Sequence, residues 1–235
     1  MLQERHLTVA EKARSDVSSV FNKVYSSLEE EYGDLDWWPA DTPYEVMLGA
    51  ILTQNTNWKN VEKAIENLKL NGCITPGAIN SIQSDELAEY IRPSGYFNIK
   101  AKRIKNFNRW YIENGEYNKL ISIETDKLRK MLLGVNGVGY ETADDILLYA
   151  FERPVFVIDS YYRRIFSRIG IIDNQTGYEA LRHYAQRHIE QDVSLYNQYH
   201  ALLVEHCKST CKVKPNCLGC ILRNNGICFF SEHDS

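Results

Sequence analysis

The chain has 235 residues and a mass of 27.2 kDa, enough for one large domain or two small ones. Hydrophobic residues make up 44% and charged residues 25%, which excludes an intrinsically disordered chain and leaves ample material for a core. Lys and Arg number 27 against 31 Asp and Glu, a net charge of −4, so a nucleic-acid partner would have to be held by local basic clusters rather than by overall charge.

The longest charge-free stretch, 70–84, has 15 residues. A bilayer needs about 20, and Gly72, Pro76 and Gly77 interrupt the run, so no membrane span is expected. The first 16 residues scatter both signs of charge without an apolar run, which points to the cytoplasm rather than to secretion.

Taken in chain order, the segments read as amphipathic helices broken by Gly, Pro and Asn. Val17, Val20, Phe21, Val24, Tyr25 and Leu28 recur at helical spacing. A turn-rich stretch, 32–43, follows, ending with Thr42 as a candidate N-cap and Pro43 in the first turn of a helix carrying Val46, Met47, Ala50 and Ile51. A helix over 58–69 places Val61, Ala64, Ile65 and Leu68 on one face. A short helix over 85–91 is ended by Pro93 and Gly95, and a helix over 99–113 is basic on one side, with Lys100, Lys102, Arg103, Lys105 and Arg109. Helices over 126–133, 141–151, 160–169, 178–191 and 194–207 complete the set; the third of these carries a second basic group (Arg163, Arg164, Arg168), and a third group (Lys208, Lys212, Lys214) follows the last. The four-residue run 155–158 has no partner strand in view and reads as a buried connector. The expected fold class is all-α.

Five of the six cysteines lie in 207–228, spaced Cys207-x3-Cys211-x5-Cys217-x2-Cys220-x7-Cys228. In a cytosolic chain such density favours a metal centre over disulfides. Spacing leaves iron–sulfur and zinc open, since zinc usually shows two C-x2-C knuckles and only one is present. Cys211, Cys217, Cys220 and Cys228 form the favoured ligand set; Cys207 ends an apolar helix and reads as packed.

The sequence LGVNGVGYETA joins two amphipathic helices. Gly134, Gly137 and Gly139 permit a tight turn, leaving the N–H groups of the second helix free to meet an anion such as a DNA phosphate. An ordinary helix–helix turn is the alternative. Asp159 follows the apolar run 155–158 and opens a helix, so it reads locally as an N-cap. A carboxylate there can also face a cleft, where it could polarise water and stabilise the cationic sugar formed as an N-glycosidic bond breaks.

Together, TPYEVMLGAILTQNTNW, GYFNIKAKRI, LGVNGVGYETA, VIDSYYRRI and the cysteine tail resemble the helix-hairpin-helix DNA glycosylases, in the endonuclease III-related branch. The opening WWPADTP looks most like the 3-methyladenine glycosylase subgroup, and two of the cysteine gaps depart from those of endonuclease III itself. The resemblance implies two helical lobes with a DNA-binding cleft. It divides the chain into an N-terminal helix over 1–36, a six-helix barrel over 37–152 with the hairpin near 123–151, and a C-terminal lobe over 153–235 that holds a 4Fe–4S cluster loop at 207–228. It implies catalysis by Asp159, DNA binding by Gln54, Gly137, Gly139, Tyr140, Thr142 and Lys100, and insertion of Gln54 into the space left by a flipped base. Trp37, Trp38 and Glu141 are base-pocket candidates, with Trp58, Tyr140 and Tyr161 as further stacking candidates.

Bifunctional members of the family carry a lysine where this chain has Glu141, and a carboxylate forms no Schiff base. The resemblance therefore implies a monofunctional glycosylase, with Lys208 the alternative amine for any residual lyase activity. The implied partner is double-stranded DNA containing a damaged base, an alkylated purine above others, handled by a monomer in the cytoplasm at the nucleoid. The alternatives are a glycosylase for mismatched or oxidised pyrimidines and a non-catalytic damage-sensing protein on the same scaffold.

Overall fold

The computed structural model describes residues 9–35 and 37–230. Among them there is no strand, and no helix is long and apolar enough to cross a membrane. The helices, in order, are α1 (Val9–Tyr32), α2 (Pro43–Leu52), α3 (Trp58–Leu70), α4 (Pro76–Ser81), α5 (Ser84–Tyr90), α6 (Phe97–Glu113), α7 (Glu116–Leu120), α8 (Thr125–Leu133), α9 (Tyr140–Asp145), α10 (Ser160–Ile169), α11 (Tyr178–His188), α12 (Val193–Ser209) and α13 (Ile221–Asn224).

Local chemistry sets several of these boundaries. The Thr42 side chain accepts from the N–H of Glu45 and Pro43 occupies the first turn, which starts α2. Asn57 and Thr75 cap α3 and α4 in the same way. Helices α4 and α7 lie in segments too short and polar to show a hydrophobic period, so only their placement against α6 reveals them. Helix α6 begins two residues before its expected start because Tyr96 adopts a left-handed conformation, φ 48°, and turns the chain into it. The expected continuous helix over 141–151 widens after Asp145 into a π-turn, Ile146–Ala150.

The chain forms two compact units. One is Trp38–Pro154. Its core joins Met47, Leu48 and Ile51 of α2 to Val61 and Leu68 of α3, Ile104 and Phe107 of α6, Leu128 and Leu132 of α8, and Ile146 and Leu147, all fully buried. Each such side chain contributes about 1.5–3 kcal/mol on burial. The buried Tyr44 hydroxyl donates to Asn108 Oδ1 at 2.5 Å, and Asn108 reaches the carbonyl of Pro76, which satisfies polar atoms inside this core.

The other unit joins the N-terminal segment through Trp37 to the chain from Val155 on. Its core is aromatic. Phe21 of α1 meets Phe166 of α10 with ring centroids 4.7 Å apart, Tyr162 lies 4.7 Å from Phe166, and Phe156 lies 4.9 Å from Tyr196 of α12. The run 155–158 is an extended, buried connector, at most 3% exposed, with the Ile158 N–H donating to the Tyr178 hydroxyl. It delivers Asp159 to the start of α10.

Candidate active site

The turn between α8 and α9 is built on glycine. Gly137 has φ +101°, and a Cβ there would lie 2.3 Å from Arg103 Cγ, so both backbone and space require glycine. Gly139 is extended and open to solvent, and no side chain caps the first turn of α9. Tyr140 is half exposed beside this turn, with the Arg129 guanidinium 5.7 Å from its ring centroid. Glu141 is exposed in the first turn, where the helix dipole favours a negative charge.

Gln54, in the loop after α2, belongs to the same cluster. Its Nε2 donates to the Gly137 carbonyl at 3.0 Å and to Thr142 Oγ1 at 2.9 Å, while its Oε1 accepts from Arg103. The amide of Gln54 thus joins three elements distant in sequence: the α2–α3 loop, α6 and the hairpin. Arg103 was visible in the sequence only as one of several basic residues.

Two lysines of that basic group spend their ammonium groups on backbone carbonyls. Lys100, expected among the DNA-binding residues, is 1% exposed, and its ammonium donates to the carbonyls of Leu52 and Ser94, each at 2.7 Å. The C-terminal end of α2 leaves the buried Leu52 carbonyl without a helical partner, and Lys100 satisfies it instead of facing solvent. Burial first, and Arg103 second, push its pKa down to about 8. Lys105 similarly donates to the carbonyl of Ile79 at 2.6 Å. Lys102 and Arg109 remain exposed.

Asp159 lies in the other unit. It is 7% exposed and caps α10, its Oδ1 accepting from the N–H of Tyr162 at 2.7 Å. Its Oδ2 lies 3.3 Å from Nε2 of His200, a buried residue of α12. The edge of the Trp37 ring meets His200, with centroids 6.3 Å apart, and Lys208 Nζ sits 5.1 Å from the Trp37 centroid. Trp37 Nε1 is buried and has no hydrogen-bond partner among the described residues. Sequence reasoning missed His200; its only signal is a lone histidine inside the apolar run 199–204.

Trp38 has a different setting from its neighbour. With φ 64°, it stacks on Tyr149 at 4.6 Å and meets Trp58 edge-on at 5.0 Å, within the unit formed by Trp38–Pro154. Gly49 makes room for it, since a Cβ there would lie 3.3 Å from the indole nitrogen.

Cys211, Cys217, Cys220 and Cys228 line one cavity, together with Ile165, Arg168 and His206. Cys207 is buried outside that lining, its thiol 3.8 Å from the Tyr161 carbonyl. No three His, Cys, Asp or Glu side chains among the described residues converge to hold a single metal ion. Arg168 secures the loop by donating to Cys211 Sγ at 3.1 Å and to the carbonyls of Lys212 and Val213 at 2.8 and 3.0 Å. A hydrogen bond from the Cys207 thiol, then Arg168, pull the Cys211 pKa below that of an ordinary thiol, whereas burial raises those of Cys220 and Cys228. A cavity lined by four sulfurs and no carboxylate suits a soft, thiophilic metal centre.

Residues 48–191 match the family model of the HhH-GPD superfamily of base excision DNA repair proteins. A protein of Methanocaldococcus jannaschii, provisionally named a DNA repair glycosylase, is 46% identical over 204 residues, covering 86% of this chain and 93% of its own. The Helicobacter pylori 3-methyladenine DNA glycosylase, solved with bound 1,N6-ethenoadenine, is 29% identical with a TM-score of 0.68, covering 81% of this chain and 96% of that one. An endonuclease III solved in a non-covalent complex with DNA shares the fold, with a TM-score of 0.74 at 20% identity over 95% of this chain and 96% of its own. The chain belongs to the HhH-GPD superfamily and is a DNA glycosylase of that family.

Proposed function

We propose that this HhH-GPD glycosylase is a monofunctional enzyme that removes an alkylated purine from duplex DNA, working as a monomer on cytoplasmic chromosomal DNA. The observation that carries the catalytic part is Asp159: buried, fixed at a helix N-terminus, and engaged at both carboxylate oxygens. The hairpin around Gly137 and Gly139, with Tyr140 and Thr142, would receive a DNA phosphate on its backbone N–H groups and position the duplex without reading bases. Gln54 would leave its hydrogen bonds to the hairpin and fill the gap left by the extruded nucleotide. Extrusion costs a few kcal/mol, least for a poorly stacked base.

In the chemical step the bond between C1′ and the base nitrogen breaks, and its electron pair leaves with the base. Asp159 stabilises the positive charge that develops on the sugar and orients the water whose oxygen then bonds C1′; the proton of that water passes to solvent. A purine alkylated on a ring nitrogen is already cationic and leaves readily. Aromatic rings suit such a cation, and Trp37 is the best-placed candidate because it borders His200 beside Asp159. The likeness to the Helicobacter pylori 3-methyladenine glycosylase supports this substrate class. Trp38, packed on Tyr149 and Trp58, would serve packing within its own unit rather than stack on a base. Glu141 supports the monofunctional reading, because a carboxylate cannot form the imine that a lyase needs.

Cys211, Cys217, Cys220 and Cys228 would hold a 4Fe–4S cluster, which would supply structural pinning of the loop, since this hydrolysis transfers no electrons. The test is single-turnover base release from duplexes carrying 1,N6-ethenoadenine, methylated purines, mismatched uracil or thymine, and oxidised pyrimidines, with and without alkali. Release of alkylated purines with strand breaks only after alkali supports the proposal. Breaks without alkali overturn the monofunctional part, release confined to pyrimidines overturns the substrate, and DNA binding without release from any duplex favours a damage-sensing role.

A further inference from the structure

Resting on the reading of Asp159 as the catalytic carboxylate, we infer that His200 is its positioning residue. The two side chains are 41 residues apart in sequence and meet where α12 packs on α10. His200 Nε2 lies 3.3 Å from Asp159 Oδ2, and both side chains are buried. An ionised carboxylate can only accept hydrogen bonds, so the imidazole nitrogen facing it carries the proton and donates.

This contact is more than the fold requires. Capping α10 uses Oδ1 alone, through the N–H of Tyr162. Had packing been the only demand, an apolar side chain at position 200 would have avoided the desolvation of an imidazole. The second bond does something the cap cannot. It fixes Oδ2 as well as Oδ1, so the carboxyl group no longer rotates about its Cβ–Cγ bond. Each carboxylate oxygen has a second lone-pair direction, and these remain available in a fixed orientation for a water or for the sugar. Trp37 borders the imidazole, with ring centroids 6.3 Å apart. His200 acts through Asp159, and of the two only Asp159 touches the reacting atoms.

Two variants separate positioning from packing. His200→Leu removes the donor while filling the space, and His200→Gln returns a donor at a reach close to that of Nε2. Single-turnover release is measured on whichever duplex of the panel responds, and affinity on a duplex carrying a tetrahydrofuran abasic analogue. Misorientation of a reacting group costs about 10²-fold, so His200→Leu is expected to lose that much rate with unchanged affinity, and His200→Gln to recover most of it. A His200→Leu protein that is folded and as fast as wild type overturns the inference, as does a His200→Gln protein as slow as His200→Leu.

Imidazole 1H–15N NMR supplies a readout that needs neither turnover nor a stable variant at position 200. The proton is expected on Nε2, with its signal displaced in Asp159→Asn; a proton on Nδ1 alone overturns the pairing. If Asp159→Asn releases bases at the wild-type rate, the catalytic reading of Asp159 fails, whereas the NMR result still decides whether the two side chains are bonded.

Discussion

The guanidinium of Arg129 grips the carboxylate of Asp144 with two parallel contacts, Nε to Oδ1 at 2.5 Å and Nη2 to Oδ2 at 3.0 Å, both groups buried. Arg129 is on α8 and Asp144 on α9, so the pair clamps the two helices on either side of the glycine turn. Removing one partner of a buried pair strands the other charge and typically costs about 3–5 kcal/mol. Asp144→Leu is expected to lose that much in a urea unfolding curve. A loss below about 1 kcal/mol would mean that the clamp is dispensable and that core packing alone holds the hairpin.

The two hairpin glycines should respond differently to alanine. At Gly137, φ +101° and the approach of Arg103 make Gly137→Ala destabilising by about 1–3 kcal/mol. At Gly139 the backbone is ordinary and the space open, so Gly139→Ala should leave stability within about 0.5 kcal/mol of wild type while weakening DNA binding by covering the first turn of α9. Paired melts and DNA titrations check both; equal melting behaviour of the two variants contradicts the argument.

Lys100 should leave a signature in the pH dependence of stability. Its pKa is about 8 in the folded protein against 10.5 for a free lysine, so between those values the unfolded chain binds more protons. Stability contributed at this site therefore rises as pH increases from about 8 to 10.5, and is flat below. The wild type should gain on Lys100→Met across that window, read from urea midpoints at successive pH values. A constant difference would show that the buried ammonium titrates normally.

Asp159→Asn separates the structural role of this residue from its chemical one. Asparagine caps helices as well as aspartate does, so the start of α10 is kept and the stability lost is that of the buried contact with His200, about 1–3 kcal/mol. Base release should fall by about 10²-fold or more, because the amide carries no charge to stabilise the sugar cation. A collapsed melting temperature with proportionate loss of activity would make Asp159 a cap and nothing else.

Arg168 ties the cysteine loop to α10 through Cys211, Lys212 and Val213. Purified protein should be brown and carry about four irons per chain. Arg168→Met should lose iron to a chelator faster than wild type, followed by the visible absorbance. A colourless protein with one bound zinc would refute the cluster assignment.

Several parts of this protein were written in local sequence. Apolar residues at helical spacing define α2, α3, α8 and α10, and Thr42, Pro43 and Asp159 mark where helices start, because these signals act within one or two turns of chain. The glycine turn and the clustering of five cysteines are legible for the same reason: each lies within about two dozen residues. What the sequence could not disclose are the partners. Lys100, Lys102 and Arg109 look alike in one basic stretch, yet only packing against the end of α2 removes Lys100 from the surface. Trp37 and Trp38 are neighbours in the chain, yet one borders His200 and the other stacks on Tyr149. Gln54 meets Thr142 across 88 residues, and Asp159 meets His200 across 41. A side chain's type and its neighbours in the chain set which bonds it can make. Which of them it does make depends on the atoms that the packed helices bring within hydrogen-bonding reach, and the tertiary structure alone decides that.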